Sequence, residues 1–235
     1  MIVAQRRLMT ALGYIDRIIL RPIHSKHMPT TLAFPLRLSF KLLAFAPQFY
    51  IHDANGNCLA YVKQKLFKLR EAVTVFADER QENVRYYIRA DRVIDFSAQY
   101  NFTDAQGEGL GCVKQRGLRS LWKAGFDVLE VGLSVFHINE RSVLTRFLDG
   151  LFGQIPIIGL LSGYLFQPAY EASRPDGQVV MVLTKRPALF EGRFDIDLAT
   201  ESFSQSAGNA PPSEREANQL LLSLMMIVML ERSRG

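Results

Sequence analysis

The sequence predicts a mainly β protein in which a closed antiparallel β-barrel surrounds a hydrophobic helix near the C-terminus. Three observations support this prediction. Residues 34–199 alternate short β-branched and aromatic runs with turn residues, a hairpin motif occurs three times in that region, and residues 217–230 are apolar on almost every side. A helix that is apolar all round must be buried, and a closed sheet gives it an interior.

The strand prediction depends on runs such as Val73–Phe76 and Gln178–Leu183, which end at turn residues. Long helical periodicity is absent from this part of the sequence. Parallel strands need crossover segments, usually helices, so a chain without such segments favours an antiparallel sheet.

The hairpin motif is an internal repeat with one register. In each copy a tyrosine opens a strand, a turn ends in glycine, an apolar residue lies six positions after that glycine, and a basic residue lies nine positions after it. The copies run from Tyr50 through Gly56 to Lys65, from Tyr100 through Gly107 to Arg116, and from Tyr170 through Gly177 to Arg186. Because aspartate can bond the backbone of a turn and glycine accepts positive φ, each copy predicts a β-hairpin. A further strand is predicted after each hairpin, marked by Phe67, by Trp122 and Phe126, and by Phe190 and Phe194.

The C-terminal helix has a clear predicted start and a limited length. Ser213 and Glu216 have the spacing of a capping box, and the 14 residues 217–230 carry no charge. At 1.5 Å per residue this stretch is about 21 Å long, which is short of a hydrocarbon core of roughly 30 Å. The prediction is therefore a helix buried in protein.

The charge is concentrated in an N-terminal arm. The chain has 235 residues, a globular composition and a formal charge of +5. Residues 1–47 carry +6, so the remainder is nearly balanced at −1. Residues 1–33 are interpreted as a basic arm and linker, and residues 34–235 as the barrel domain. A balanced body argues against a nucleic-acid-binding domain.

No motif in the sequence indicates an enzyme, a metal site or a cofactor. Asp53 and Asn55 resemble the start of a calcium loop but lack its later acidic ligands, and His52 and His137 have no nucleophile beside them in sequence. Cys58 and Cys112 have no metal or redox spacing, and there is no signal peptide, so a cytoplasmic location is expected.

The segment 150–166 contains 17 uncharged residues, and three alternatives are open for it. It could pack on the barrel, dip into a membrane or span one.

The strand and turn patterns resemble the tubby C-terminal-like superfamily, in its LURP-one-related and phospholipid scramblase branch. The resemblance is carried by residues 49–57 and 62–68, by Ser120–Lys123 at the end of the second copy, and by the apolar C-terminal helix, and it covers about residues 34–232. It implies a twelve-stranded antiparallel barrel around a central C-terminal helix, and a link to phosphoinositide or phospholipid binding. The cysteine-rich stretch and membrane helix that follow the barrel in scramblases have no counterpart here, and no site residue is carried over from the family.

Two functions are therefore expected as alternatives. The first is a non-enzymatic barrel that binds anionic phospholipid at a membrane surface, peripherally and from the cytoplasm. The second is a protein–protein interaction or scaffold module with no small ligand. The candidate lipid-headgroup residues are the basic side chains of the arm and of the repeats: Arg6, Arg7, Arg17, Arg21, Lys63, Lys65, Lys114, Arg116, Lys185 and Arg186.

Overall fold

The computed structural model describes residues 32–41, 48–63, 72–92, 98–116, 125–141, 169–188, 191–199 and 210–234. These residues form twelve strands and one helix. The strands are β1 Leu36–Lys41, β2 Gln48–His52, β3 Cys58–Lys63, β4 Ala72–Phe76, β5 Val84–Ala90, β6 Gln99–Asp104, β7 Gly109–Gln115, β8 Gly125–Glu130, β9 Leu133–Arg141, β10 Ala169–Ser173, β11 Val179–Arg186 and β12 Glu191–Leu198, and the helix is α1 Glu214–Arg234.

The sheet is a closed antiparallel barrel, as the sequence predicts. Each strand pairs with its neighbours in the sequence, and β1 pairs with β12 to close the ring. The closing register runs from Leu36 opposite Ile196 to Lys41 opposite Glu191. Closure leaves no terminal strand in the sheet, although β3 and β4 pair only where Tyr61 lies opposite Phe76.

Alternation along the strands directs apolar side chains to the interior. In β1, Leu36, Leu38 and Phe40 are buried, whereas Arg37 and Lys41 are exposed. Successive side chains of a strand point to opposite faces, so this pattern gives the barrel an apolar lining and a polar outer surface.

The three copies of the repeat are hairpins, and their turns share one backbone pattern. The copies correspond to β2–β3, β6–β7 and β10–β11. In each turn the first residue donates its N–H to the carbonyl four positions later and accepts a bond from the N–H of the glycine. These glycines have φ near +90°, which explains the requirement for glycine at that position. The first turn residues are Asp53, Asp104 and Arg174.

Two further hairpins lie outside the repeat, and the sequence pattern does not predict them. Residues 77–83 connect β4 to β5, and Val131 and Gly132, both with positive φ, form a two-residue turn between β8 and β9. Together the five hairpin turns lie at one end of the barrel, here called the turn end. The other end is called the opposite end.

Helix α1 fills the barrel. Every residue from Ala217 to Leu230 is buried, including the polar residues Asn218, Gln219 and Ser223. The predicted capping box is present, since Ser213 Oγ accepts from the Glu216 N–H at 3.3 Å and Glu216 Oε2 accepts from the Ser213 N–H at 2.8 Å. The prediction of a central hydrophobic helix is therefore confirmed. No helix in the described part of the chain is both long and apolar enough to cross a bilayer.

Several sequence predictions concern residues outside the described ranges. These are the basic arm as far as residue 31, the apolar segment 150–166, and the strand markers Phe67, Trp122 and Phe190. The first described residues already contact the barrel, because Leu32 and Phe34 pack against the core and the Ala33 carbonyl accepts a hydrogen bond from Ala54.

Candidate functional site at the opposite end of the barrel

The topology gathers the basic residues of the repeats at the opposite end. In an antiparallel barrel alternate strands run the same way, so β3, β7 and β11 all start at the turn end and finish at the opposite end. Lys63 is the last residue of β3, Lys114 is next to last in β7, and Lys185 and Arg186 are the last two of β11. Residues of three strands that are up to 123 positions apart in the sequence therefore lie around one rim.

The opposite end is basic, and the turn end is acidic. We count the charged side chains that the structure describes among the two strand residues nearest each end, the described turns and connections, and the adjoining helix residues. The opposite end has the basic residues Lys41, Lys63, Arg89, Arg92, Lys114, Arg116, Lys185, Arg186 and Arg232 and the acidic residues Asp91, Glu140, Glu191 and Glu231. The turn end has the acidic residues Asp53, Asp78, Glu79, Glu82, Asp104, Glu108, Glu130, Asp176, Asp197, Glu214 and Glu216 and the basic residues Arg37, Arg80, Arg85, Arg174 and Arg215. The formal charges of these sets are +5 and −6.

Three of the predicted residues keep their charge available. Lys63, Lys114 and Lys185 are exposed, and none of them forms an ion pair with another described residue. Lysine carries a compact, strongly hydrated charge on a flexible stem. These three ammonium groups can therefore meet an anionic surface without first breaking a contact within the barrel.

Arg116, by contrast, belongs to a polar cluster on the outer face of β7, β8 and β9. Its Nε lies 3.1 Å from Asp127 Oδ1, and one terminal nitrogen donates to Asn139 at 2.5 Å. The same Asp127 oxygen lies 2.7 Å from His137 Nδ1. The guanidinium lies over Gly125, where a Cβ would come within about 3.2 Å of it. Arg116 is thus held by neighbouring strands and is less available than the lysines.

Arg186 is also engaged, through the carboxylate of Asp195 on the neighbouring strand. The Arg186 Nε lies 2.8 Å from one oxygen of Asp195, and Arg37 lies 4.0 Å from the other. Burial, followed by the nearby negative charge of Asp195, raises the pKa of Asp197. Arginines thus engage the carboxylates of Asp127 and Asp195, whereas Lys63, Lys114 and Lys185 have no such carboxylate among the described residues.

The C-terminal part of α1 reaches this rim as well. The Arg232 guanidinium lies 4.6 Å from the Phe40 ring centroid and donates to the Lys41 carbonyl at 2.9 Å, while the Tyr170 hydroxyl bonds to Glu231. Burial lowers the pKa of Arg232. These contacts fix the helix C-terminus against the strand ends.

Sequence reasoning missed Lys41, Arg89, Arg92 and Arg232 as members of the basic rim. Lys41 precedes the first copy of the repeat, and the other three also lie outside the pattern. The alternation of apolar and polar residues along β1 is the local signal that places Lys41 on the exposed face at the end of the strand. The predicted residues Arg6, Arg7, Arg17, Arg21 and Lys65 lie outside the described residues, so they remain predictions.

At the turn end, the acidic groups near the helix are bound to partners. Arg215 donates to Glu130 at 2.8 Å and to the Gly109 carbonyl at 2.8 Å, and Gln219 donates to the Leu110 carbonyl at 2.7 Å. The Gln219 amide, with Arg215, lowers the pKa of Glu130. These contacts anchor the helix N-terminus. Within the described ranges no group of three histidine, cysteine or carboxylate side chains is arranged to hold a metal ion.

No protein-family model matches this chain, and no curated protein matches it. The basic rim is therefore the feature of the described structure that bears most directly on function.

Proposed function

We propose that this protein binds anionic phospholipid at a membrane surface through the opposite end of its barrel. The observation that carries the proposal is the convergence of Lys63, Lys114 and Lys185 on one rim, exposed and without ion-pair partners among the described residues. A rim of this kind presents several cations to one plane at once. Each basic residue close to an anionic bilayer contributes about 1 kcal/mol of attraction.

The acidic turn end supports one orientation. A formal charge of −6 on the turns is repelled by an anionic surface, and the +5 of the opposite end is attracted to it. Rotation of the barrel that brings the turns towards the bilayer is therefore unfavourable. The predicted arm, with Arg6, Arg7, Arg17 and Arg21, precedes β1, which starts at the turn end, so it would add to the attraction only by extending along the barrel to the opposite end.

We also propose that the protein is a LURP-one-related or scramblase-like barrel that binds lipid. The twelve-stranded barrel around a C-terminal helix agrees with the architecture that the resemblance to LURP-one-related and scramblase-like proteins implies, and it supports that assignment. A non-enzymatic lipid-binding barrel that is peripheral to the cytoplasmic side of a membrane is consistent with the basic rim. In this role the barrel recognises a surface and carries out no reaction.

Co-sedimentation with vesicles tests the proposal. The full chain is mixed at low salt with vesicles of neutral phosphatidylcholine, alone or with phosphatidylserine. We expect binding only with the anionic lipid, and we expect it to weaken at physiological salt, where exposed charges are screened over about 8 Å. The Lys185→Glu variant should bind roughly thirtyfold more weakly, because charge reversal costs about twice the 1 kcal/mol of one basic residue.

Arg80→Glu is the matched control. Arg80 is also exposed, and its reversal changes the net charge by the same amount, but it lies on the turn between β4 and β5 at the turn end. It should retain binding close to that of the unmodified chain. Equal binding to neutral and anionic vesicles, or equal losses in the two variants, would reject the proposed site. Absence of binding to both kinds of vesicle would favour a protein-interaction module with no lipid ligand.

A further inference from the structure

A cavity at the turn end is separate from the basic rim and is not used by the proposed lipid binding. It has a volume of about 380 Å³ and lies where the turn between β4 and β5 approaches the first hairpin. That volume is within the usual range of small-molecule sites, roughly 300–1,000 Å³. Its lining consists of Tyr50 and His52 from β2, Cys58 from β3, and Asp78, Glu79 and Arg80 from the turn.

Aromatic rings form one part of this cavity. The rings of Tyr50 and His52 are stacked, with centroids 5.8 Å apart and an interplanar angle of 15°. Tyr61, opposite Tyr50 on β3, packs against it with centroids 5.1 Å apart. Tyr61 is buried, so the accessible aromatic surface belongs to Tyr50 and His52. Aromatic rings attract cations within about 6 Å of the centroid, and alkylammonium groups are recognised in this way.

Carboxylates form the other part. Asp78 and Glu79 take part in no ion pair with the described residues, unlike Glu130 and Glu216, which are held by arginines near the helix N-terminus. Burial and the neighbouring Glu79 carboxylate raise the pKa of Tyr50. Glu79 lines the same cavity as the partly buried rings of Tyr50 and His52. It supplies the negative charge that a bound cation needs.

Two arginines moderate the charge at this site. Arg85 is half-buried near Asp78 and Cys58, and it offsets part of the negative charge of Asp78. Arg80 lines the cavity and is exposed, and its guanidinium pairs with no described carboxylate. With His52 neutral, the lining residues Asp78, Glu79 and Arg80 sum to a formal charge of −1. Arg85 interacts with Asp78, so Glu79 is the carboxylate left to balance a bound cation.

We propose that this cavity binds a small organic ammonium ion. The cation would lie against the rings of Tyr50 and His52, with the Glu79 carboxylate as its counter-charge. The formal charge of −6 at the turn end raises the local concentration of such cations. This site and the basic rim face different partners at different ends of the same barrel.

The test uses choline chloride as the probe and 3,3-dimethylbutan-1-ol as its uncharged analogue of the same shape. Titrations of the full chain are followed by saturation-transfer NMR at pH 8, above the ordinary titration range of histidine, and at constant ionic strength. We expect saturable binding of choline and much weaker binding of the alcohol. Absence of saturable choline binding, or equal binding of both probes, would overturn the proposal.

Variants locate the site. Glu79→Gln should weaken choline binding up to about fivefold, in line with one exposed charge contact, while Glu82→Gln in the same turn should leave it unchanged. His52→Leu should weaken binding about two- to fivefold, and His52→Phe should retain it because a ring face remains. Thermal melting of each variant confirms folding. Equal effects of Glu79→Gln and Glu82→Gln would place choline elsewhere and overturn the assignment.

Discussion

The two ends of the barrel differ in how their charges are used. At the turn end, many carboxylates form bonds that hold the fold together: Asp53 and Asp104 accept backbone N–H groups of their own turns, and Glu130 and Glu216 contact arginines near the helix start. At the opposite end, Lys63, Lys114 and Lys185 form no ion pair with another described residue. A charge that already has a structural partner contributes little to recognition, so the lysines are the main available charge at the opposite end, and at the turn end it lies on carboxylates outside these contacts, such as Asp78 and Glu79.

The three repeat turns also differ in how their first residue is used. All three turns share their backbone bonds, but Arg174 stands where the first two copies have aspartate. Its guanidinium donates to the Ala210 carbonyl at 2.9 Å and lies 3.5 Å from both carboxylate oxygens of Glu216. The third turn therefore connects the hairpin to the helix, whereas the aspartates of the other two stabilise only their own turns.

The largest expected effect on stability comes from disrupting α1, the helix that runs through the barrel between the two ends. Leu224 is fully buried in the centre of α1. Leu224→Asp should lose packing worth about 2–5 kcal/mol and bury a carboxylate at a further cost of several kcal/mol, which approaches the whole stability of a typical domain. We expect no cooperative thermal transition by circular dichroism.

Leu133→Asp is the control for this change, because Leu133 is 73% exposed in the turn-end hairpin. It should alter the free energy of unfolding by about 0.5 kcal/mol or less. Similar melting of Leu224→Asp and Leu133→Asp would contradict the buried helix.

A smaller effect is expected from the aspartate of the second turn. Asp104 is 3% exposed and accepts the N–H groups of Gln106 and Glu108 at 2.9 and 2.8 Å. Asp104→Ala should lower the free energy of unfolding by about 1–3 kcal/mol, since two hydrogen bonds of about 0.5–1.5 kcal/mol each are lost. Asp176→Ala, in the exposed third turn, should cost clearly less, as measured by urea denaturation. Equal costs would show that the two turns do not differ in this way.

Acidification should weaken the turn end. Hydrogen bonds from Asn57 lower the pKa of Asp53, and contacts from Gln219 and Arg215 lower that of Glu130. A carboxyl group with a lower pKa in the folded state stabilises the fold fully above its ordinary pKa, and this contribution is lost as the pH falls through the folded value. The melting temperature should therefore fall below about pH 5.

The Asp53→Asn, Glu130→Gln variant should show a shallower decline in melting temperature between pH 5 and pH 3 than the unmodified chain. Burial raises the pKa of Asp197, so protonation of this residue at low pH favours the folded state. It therefore reduces the total loss of stability on acidification. Identical pH profiles of the two proteins would show that these carboxylates do not control acid stability.

The smallest effect is expected from Arg174→Ala. Its contacts with Glu216 are long and partly exposed, so their loss should cost about 1 kcal/mol or less in urea denaturation. A loss larger than that of Asp104→Ala would reverse the ranking of the turn contacts.

The fold could be predicted because its determinants are local. The alternation in β1, the turn glycines and the uninterrupted apolar run 217–230 each specify their own element, and burial of the helix follows from its length and its lack of a polar face. The basic position nine residues after each glycine could be read in part. Arg116 and Arg186 lie at the far end of the barrel, because a hairpin of fixed length carries the position there, whereas Lys65 lies outside the described residues.

The division of charge between the ends could not be predicted in the same way. Arg116 and Arg186 belong to the repeat pattern, but Asp127 and Asp195 on neighbouring strands engage them, and no local pattern marks those pairs. The acidity of the turn end is a sum over turns, strand ends and the start of the helix. The turn between β4 and β5, which supplies Asp78 and Glu79, has no counterpart in the repeat.

The orientation of the barrel on a membrane is the most direct test of the central claim. With Cys58 replaced by serine, an environment-sensitive fluorophore is attached to Lys185→Cys at the opposite end or to Glu82→Cys at the turn end. Anionic vesicles should shift the emission of the label at position 185 to the blue and leave the label at position 82 unchanged. A shift at position 82, equal shifts at both positions, or no shift at position 185 would contradict binding through the basic end.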